Sequence, residues 1–143
     1  MQSTAQINTA GTPFLAEENV IFTNKAPLPL GTYSQGIKVS RGQTIYLSAQ
    51  TPVSALTNEV LAQDFEGQLR QTLDNLAQMA EAAGGTLANV VKVTAFITDL
   101  SEFPTLNRVM QEYFTPPYPA RTTAGASALA RNTLVAIDAI MVV

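Results

Sequence analysis

The stretch NVVKVTAFITDLSEFPTLNRVMQEYF, residues 89–114, contains two different hydrophobic periods and decides the fold class. From Val91 to Ile97 β-branched residues are frequent and apolar residues alternate with others, which predicts a strand. The face of this strand that is predicted to be buried carries Val91, Val93, Ala95 and Ile97. From Phe103 to Tyr113 apolar residues recur at intervals of three or four, which predicts a helix. A strand followed at once by an amphipathic helix indicates a sheet with a helix packed on it.

A longer helix is predicted upstream, over residues 64–83. Its apolar stripe consists of Phe65, Leu69, Leu73, Leu76, Ala80 and Ala83. Asp64 is a suitable N-cap for this helix, and Gly84 with Gly85 is a suitable stop. For the later helix, Ser101 is the predicted cap.

Five further segments have the composition of strands. They are residues 19–23, 34–40, 44–52, 121–127 and 134–143. Gly42, in the link RGQ, predicts a hairpin that pairs the second of these segments with the third. The order of strands, helix, strand, helix and strands predicts an α+β fold in which two helices cover one face of a mixed sheet. The other face is left uncovered.

The composition fits one domain that buries part of its surface in an oligomer. With 143 residues the chain has the length of a single domain, predicted over residues 19–143 and preceded by a polar extension over residues 1–18. Charged residues make up only 13% of the chain, about half the fraction of a typical domain. The uncovered sheet face is therefore the predicted subunit interface. No apolar run reaches the roughly 18 residues of a membrane helix, so we expect a soluble, cytoplasmic protein with no membrane partner.

Several classes of active site are excluded by the residues that the chain lacks. It contains no cysteine and no histidine, so it cannot form a disulfide framework, a Ser-His-Asp or Cys-His arrangement, or an imidazole metal site. We expect no metal. The formal charge is −3 and the eight lysines and arginines are dispersed, so nucleic acid is not an expected partner.

Arg121 is the first candidate for a functional residue. In the stretch PPYPARTT, residues 116–123, three prolines lead to this single arginine at the start of a segment that otherwise looks buried. A guanidinium stays protonated in proteins, and an unpaired charge below the surface costs several kcal/mol. From Arg121 onward the only acid is Asp138. The partner is therefore Asp138, a distant segment, another subunit, or an incoming carboxylate, which fits the planar guanidinium through two hydrogen bonds.

Three further residues have side chains that suit a binding site. They are Tyr33 in GTYSQG, Ser48 in LSAQTP and Asn107 on the later helix. Each also has an ordinary interpretation, as a half-buried aromatic residue, a strand serine without a base to activate it, and an exposed polar residue. Their order along the chain carries more weight than any one of them.

The motifs and their order resemble the RidA/YjgF family of reactive-intermediate deaminases, also called endoribonuclease L-PSP. The motifs are APLPLGTYSQGIKV, IYLSAQTP, AAGG, VVKVTAFITDLSEFPTLNRVMQEYF, YPARTT and LVAIDAI, and they span nearly all of residues 25–143. The resemblance implies a chorismate-mutase-like α+β fold and a homotrimer with a central barrel and three clefts between subunits. It also implies hydrolysis of 2-imino acids and their enamine tautomers, which pyridoxal-phosphate enzymes such as threonine dehydratase form, to 2-keto acids and ammonia. No cofactor is implied.

The resemblance further implies roles for individual residues. The expected cleft residues are Arg121, Tyr33, Ser48, Ala49, Asn107 and Thr123. Arg121 would bind the substrate carboxylate, and Tyr33 and Thr123 would act with it as catalytic residues. Thr123 stands where the family often has cysteine. Ala49 replaces a family glycine that lies against the ligand, so its methyl group would narrow the pocket.

A departure from the family pattern lies in the last strand. The first of two family acids, the one thought to hold the attacking water, corresponds to Ala136, and only the second is present, as Asp138. Three functions therefore stay open. The leading one is an imine deaminase, the second is a regulatory trimer that binds small carboxylates without turnover, and the third is an RNA-cleaving or translation-inhibiting protein. The acidic charge and the missing histidine disfavour the third.

Overall fold

Two α-helices and six strands follow one another along residues 14–143, which are the residues that the computed structural model describes. The elements are β1 (Val20–Ile21), β2 (Gly36–Ile37), β3 (Thr44–Gln50), α1 (Phe65–Ala82), β4 (Val90–Ile97), α2 (Phe103–Tyr113), β5 (Ala120–Gly125) and β6 (Val135–Val142). Their order is the predicted one. The strands β1 and β2, with two residues each, are shorter than the predicted segments 19–23 and 34–40.

Four of the strands form a mixed sheet in the order β3, β6, β4, β5. The central strand β4 is antiparallel to β6 and parallel to β5, and β3 is antiparallel to β6. The strands β3 and β5 are therefore the two edges of the sheet. Since both helices contribute to a single core on one face of this sheet, the predicted α+β fold is confirmed.

The predicted hairpin around Gly42 is wrong. Strand β2 pairs with β1, with Val20 opposite Ile37, whereas β3 pairs with β6. Gly42 does occupy a turn, with a φ of 110° that favours glycine. The residue after it, Gln43, exchanges two backbone hydrogen bonds with Val143, at 2.7 and 3.0 Å. A turn signal in the sequence does not identify the strand that the following segment will join.

The long helix begins and ends as predicted. The Asp64 carboxylate accepts a hydrogen bond from the backbone N–H of Gly67 at 3.1 Å, and Gly84 follows the helix with a φ of 95°. The cap of α2 differs from the prediction, because Ser101 lies inside a short 3₁₀ turn. The Asp99 carboxylate caps that turn by accepting hydrogen bonds from the backbone N–H and the hydroxyl of Ser101, at 2.9 and 2.7 Å.

The core lies between the helices and one face of the sheet. Its fully buried residues include Leu69, Leu73 and Leu76 from α1, Leu106 and Val109 from α2, Val93 and Ile97 from β4, and Ile137 and Met141 from β6. In β4 the buried residue near the start is Val90, where Val91 was predicted, because the pairing register shifts between Val90 and Lys92. Such a bulge exchanges the faces of the residues around it.

The other face of the sheet is not covered by any element of residues 14–143. Tyr46 on this face is 77% exposed, and Phe96 and Ile140 are only half-buried. Large apolar side chains in this position are typical of a surface that another molecule covers.

The predicted N-terminal extension, residues 1–18, falls mostly outside the described residues. Of the part that is described, Leu15 is 2% exposed, and a 3₁₀ turn spans Glu17–Asn19. Within residues 14–143 no helix has the length and apolar character that crossing a membrane requires.

Candidate binding site around Arg121

Arg121 lies on the edge strand β5 and points toward the helical side of the sheet. It is in parallel register with Val93 of β4, whose side chain is fully buried against the helices. Residues that are neighbours across a sheet have side chains on the same face. The proline-rich segment before β5 therefore leads directly to an arginine at the edge of the core.

Two aromatic rings lie against the guanidinium. Its central carbon is 4.9 Å from the centroid of the Tyr33 ring and 5.3 Å from that of Phe103, within the range of cation–π interactions. The Tyr33 hydroxyl accepts a hydrogen bond from the backbone N–H of Leu30 at 3.2 Å, which holds the ring in place. Burial lowers the pKa of Arg121 from its ordinary value, although a guanidinium still remains charged.

Thr32 connects Arg121 to the second helix. Arg121 Nη1 donates a hydrogen bond to the Thr32 hydroxyl oxygen at 3.2 Å. The Thr32 hydroxyl and the Thr32 backbone N–H both reach Asn107 Oδ1, at 3.0 and 3.1 Å. The order of contacts is therefore Arg121, Thr32 and Asn107, from the edge strand through the loop to α2.

Three buried polar atoms at this site have no hydrogen-bond partner among residues 14–143. They are Arg121 Nε, Arg121 Nη2 and Thr123 Oγ1, and the fourth such atom in the described chain, Thr72 Oγ1, lies on α1. Thr123 follows Arg121 on the same face of β5, about 7 Å along the strand. Buried donors without partners are rare in folded proteins, so a cluster of them indicates a place for a ligand.

The ion-pair interpretation of Arg121 finds no partner within the described chain. The salt bridges of residues 14–143 involve Arg70 and Arg108 with Glu66 and Glu112. Asp138, the acid considered as an internal partner, is in register with Thr94 on the uncovered face of the sheet. Arg121 points to the other face, so Asp138 does not neutralise it.

Ser48 and Ala49 lie far from Arg121 in a single chain. Both are exposed residues of β3, and β6 and β4 separate that strand from β5. They occupy an irregular part of the strand, where the pairing with β6 shifts between Leu47 and Gln50. The structure therefore brings together Arg121 and five other residues, which are Tyr33, Thr32, Phe103, Asn107 and Thr123. It leaves Ser48 and Ala49 at the opposite edge of the sheet.

Ala136 also lies away from Arg121. It is in register with Phe96 of β4, so it belongs to the uncovered face together with Asp138. Its side chain is 6% exposed. Within one chain, neither Ala136 nor Asp138 can contact a ligand that is held by Arg121 on the helical face.

Sequence reasoning missed Thr32 and the contact of Phe103 with the guanidinium. The spacing of apolar residues in this helix predicts that Phe103 lies on its apolar side, which is compatible with this contact. A signal for Thr32 existed in the neighbouring Gly31, because a Cβ atom at that position would overlap the Asn107 side chain. A glycine in a loop can mark a close approach to another element, but it does not identify that element.

Comparison with known proteins places this chain in a family. The family model described as endoribonuclease L-PSP matches residues 23–143. A 2-iminobutanoate/2-iminopropanoate deaminase of Dermatophagoides farinae is 38% identical over 129 residues, which are 90% of this chain and 99% of that protein.

Two solved structures are similar over most of their length. RidA from the Antarctic bacterium Psychrobacter sp. PAMC 21119 has a TM-score of 0.69 and 41% identity, with 87% of this chain and 98% of that chain covered. TdcF from E. coli, whose crystal structure contains bound serine, has a TM-score of 0.66 and 36% identity over 87% and 98% of the two chains. The chain therefore belongs to the RidA/YjgF family, whose family model is described as endoribonuclease L-PSP.

Proposed function

We propose that the protein hydrolyses reactive 2-imino acids, and their enamine tautomers, to 2-keto acids and ammonia at Arg121. In this reaction water adds to the imine carbon, the carbon–nitrogen bond breaks, and the nitrogen leaves as ammonia. The observation that supports the proposal is a buried guanidinium that has two unpartnered donors and no carboxylate partner among residues 14–143. A substrate carboxylate would supply the missing anion.

The free donors of Arg121 suit a carboxylate in particular. Nε–H and Nη2–H are parallel and lie on one edge of the guanidinium plane, so a carboxylate can accept from both. The rings of Tyr33 and Phe103 keep the site apolar around the charge, and a low dielectric strengthens the pairing. The serine bound in TdcF is likewise a small molecule with a carboxylate, which fits a ligand of this class.

The chemical step demands little of the chain. An imine carbon next to a carboxylate is already electrophilic, so the main tasks are to orient the substrate and to admit one water molecule. Arg121 would orient the carboxylate, and the unpartnered Thr123 hydroxyl offers a hydrogen bond to the imine nitrogen or to the water. The Tyr33 ring would form one wall. No cofactor enters this scheme.

A second copy of the chain would complete the site. Ser48 and Ala49 are exposed at the edge opposite Arg121, so they can face a ligand only when another subunit presents them. We propose a homotrimer in which the uncovered sheet faces, with Tyr46 and Ile140, are buried together. The imines would come from pyridoxal-phosphate enzymes, as the family resemblance implies.

A second candidate function is carboxylate binding without efficient turnover. Ala136 favours it, because an alanine cannot hold and activate a water molecule as the corresponding family acid is thought to do. The two candidates share the Arg121 site and differ in the product. The rate of 2-keto acid release from an enzymatically generated imine, measured with and without the protein, separates the two candidates. A deaminase raises this rate, whereas a protein that only binds carboxylates does not.

The experiment that tests the shared site is Arg121→Lys. Lysine keeps the charge but offers no parallel pair of donors, so affinity for a small 2-keto acid should fall about ten- to hundredfold, with turnover falling in parallel. Arg131→Lys is the matched control, since Arg131 is exposed and its guanidinium donates to the backbone carbonyl of Asn58 at 3.0 Å. Unchanged affinity in Arg121→Lys would contradict the proposal.

A further inference from the structure

We propose that Thr32 is a positioning residue, which decides the edge of the Arg121 guanidinium that meets a carboxylate. The inference rests on the proposed function only in that Arg121 binds the carboxylate of the ligand. It concerns a residue that would not touch the reacting atoms, and it follows from the hydrogen bonds and the burial of Thr32.

The Thr32 hydroxyl has a defined orientation. Thr32 is 4% exposed, so solvent does not compete for its hydrogen bonds. The backbone N–H of Thr32 donates to Asn107 Oδ1 at 3.1 Å, which identifies the amide oxygen as the atom facing Thr32. The hydroxyl proton is directed to the same oxygen at 3.0 Å or to the backbone carbonyl of Asn107 at 3.4 Å. Since a hydroxyl has one proton, its lone pairs are left to accept from Arg121.

The Thr32 hydroxyl engages one particular nitrogen of the guanidinium. It accepts from Arg121 Nη1 at 3.2 Å. The nitrogens without partners are Nε and Nη2, and these two share one edge of the plane. The hydrogen bond to Thr32 therefore ties down the nitrogen that does not belong to this edge.

The aromatic contacts alone would not determine this orientation. Stacking on the Tyr33 and Phe103 rings, at 4.9 and 5.3 Å, restricts the tilt of the guanidinium plane. Stacking is nearly indifferent to rotation of the group within its plane, whereas a hydrogen bond at one nitrogen is directional. Thr32 therefore supplies the rotational restraint, and the Nε–Nη2 edge is held ready for a ligand.

The test is equilibrium binding of 2-oxobutanoate to the full-length protein, measured together with melting temperature. Thr32→Val keeps the shape of the side chain and removes the hydroxyl, so the Kd should rise about tenfold, which corresponds to about 1.4 kcal/mol. Thr32→Ser keeps the hydroxyl and should restore the Kd to within about twofold of the wild type. Thr115→Val is the matched control, since this threonine is exposed in the link between α2 and β5, and it should leave the Kd unchanged.

A double-mutant cycle determines whether Thr32 acts through Arg121. In the Arg121→Lys background there is no planar edge left to orient, so Thr32→Val should cause no further loss. A loss as large as in the wild-type background would overturn the inference, because Thr32 would then act on the ligand or on the fold directly. If Thr32→Val fails to fold, Thr32→Ala removes the same hydroxyl and is read in the same way.

The outcomes also separate this inference from the proposed function. A wild-type protein that does not bind 2-oxobutanoate would refute the carboxylate site itself. A wild-type protein that binds it, together with a Thr32→Val variant that binds it equally well, would refute only the role of Thr32.

Discussion

Arg121 combines a permanent charge, partial burial and the lack of a carboxylate partner among residues 14–143. Desolvation works against the charge and lowers its pKa. The contacts with two aromatic rings and one hydroxyl compensate for part of this cost. On the proposed function, we expect Arg121 to contribute more to ligand binding than to the stability of the fold.

We therefore expect Arg121→Met to stabilise the free protein while abolishing carboxylate binding. Methionine can keep the contact with both rings without burying a charge, and the melting temperature should rise by about 3 °C, the effect of about 1 kcal/mol in a domain of this size. The control is Arg70→Met, which should lower the melting temperature because Arg70 bridges Glu66 and Glu112 at 3.0 Å each. Thermal unfolding without ligand measures the melting temperatures of both variants. A melting temperature of Arg121→Met below that of the wild type would identify Arg121 as a structural residue.

The residues of the site differ in how far the sequence could predict them. Arg121 was predictable because a single charge in an apolar segment is conspicuous. Thr32 was not, since its partners lie 75 and 89 positions away in the chain and a threonine in a loop has no preferred role. The unpartnered state of Thr123 likewise depends on what packs around β5.

At the scale of elements, the loop of residues 31–34 connects the two elements of the candidate site, β5 and α2. Ser34 ties it to the start of β5, with its backbone N–H donating to Pro119 at 3.0 Å and its hydroxyl to the Tyr118 carbonyl at 2.6 Å. Thr32 ties it to α2. At Gly31 the loop passes so close to Asn107 that there is no room for a side chain.

Gly31→Ala should therefore weaken ligand binding without any change in a ligand contact. The added methyl group would push the Asn107 amide away from Thr32, and the restraint on Arg121 would be lost with it, so the Kd for 2-oxobutanoate should rise about tenfold. Gly84→Ala is the control, because a Cβ atom there meets nothing within 4 Å despite the positive φ. It should cost stability alone, about 1 kcal/mol. Equal Kd values for the two variants would show that the loop tolerates displacement.

Elements with local signals were predicted more accurately than their pairing. The apolar stripe and the caps of α1 depend on residues within one or two turns, and they were predicted correctly. The partner of β2 and the bulge in β4 depend on strands that are distant in the sequence. The predicted pairing of β2 with β3 and the predicted burial of Val91 were wrong, because β-branched composition favours a strand without specifying its neighbour or its register.

At the scale of the whole molecule, the two halves of the proposed cleft lie at opposite edges of one sheet. Arg121 belongs to β5, and Ser48 and Ala49 belong to β3. If Ser48 and Ala49 belong to the cleft as proposed, we expect that a single chain cannot complete it. The uncovered sheet face, with Tyr46 77% exposed, provides a surface for the copy that would do so.

Mixed assemblies should reveal whether the site is shared between chains. Arg121→Lys removes the half of the proposed cleft that lies on β5. Ala49→Phe should block the half that lies on β3, since residue 49 is exposed in the single chain and a larger side chain there would fill the cleft. Each variant alone should bind little 2-oxobutanoate, whereas an equal mixture refolded together should regain about a quarter of the wild-type binding sites, because each half is intact in half of the chains. Titration with light scattering measures site number and assembly size. A mixture no better than its components would place the whole site within one chain.

The positions of β3 and β5 give the proposed assembly a direction. A contact that joins one edge of a chain to the other edge of the next is head-to-tail, so a pair of copies would hold one joined site and leave one unmatched half at each end. Only a closed ring would leave none unmatched. Ligand binding and ring closure would then favour each other, because the coupling between two binding equilibria is reciprocal. A bound 2-keto acid would therefore stabilise the ring against dissociation into subunits on dilution.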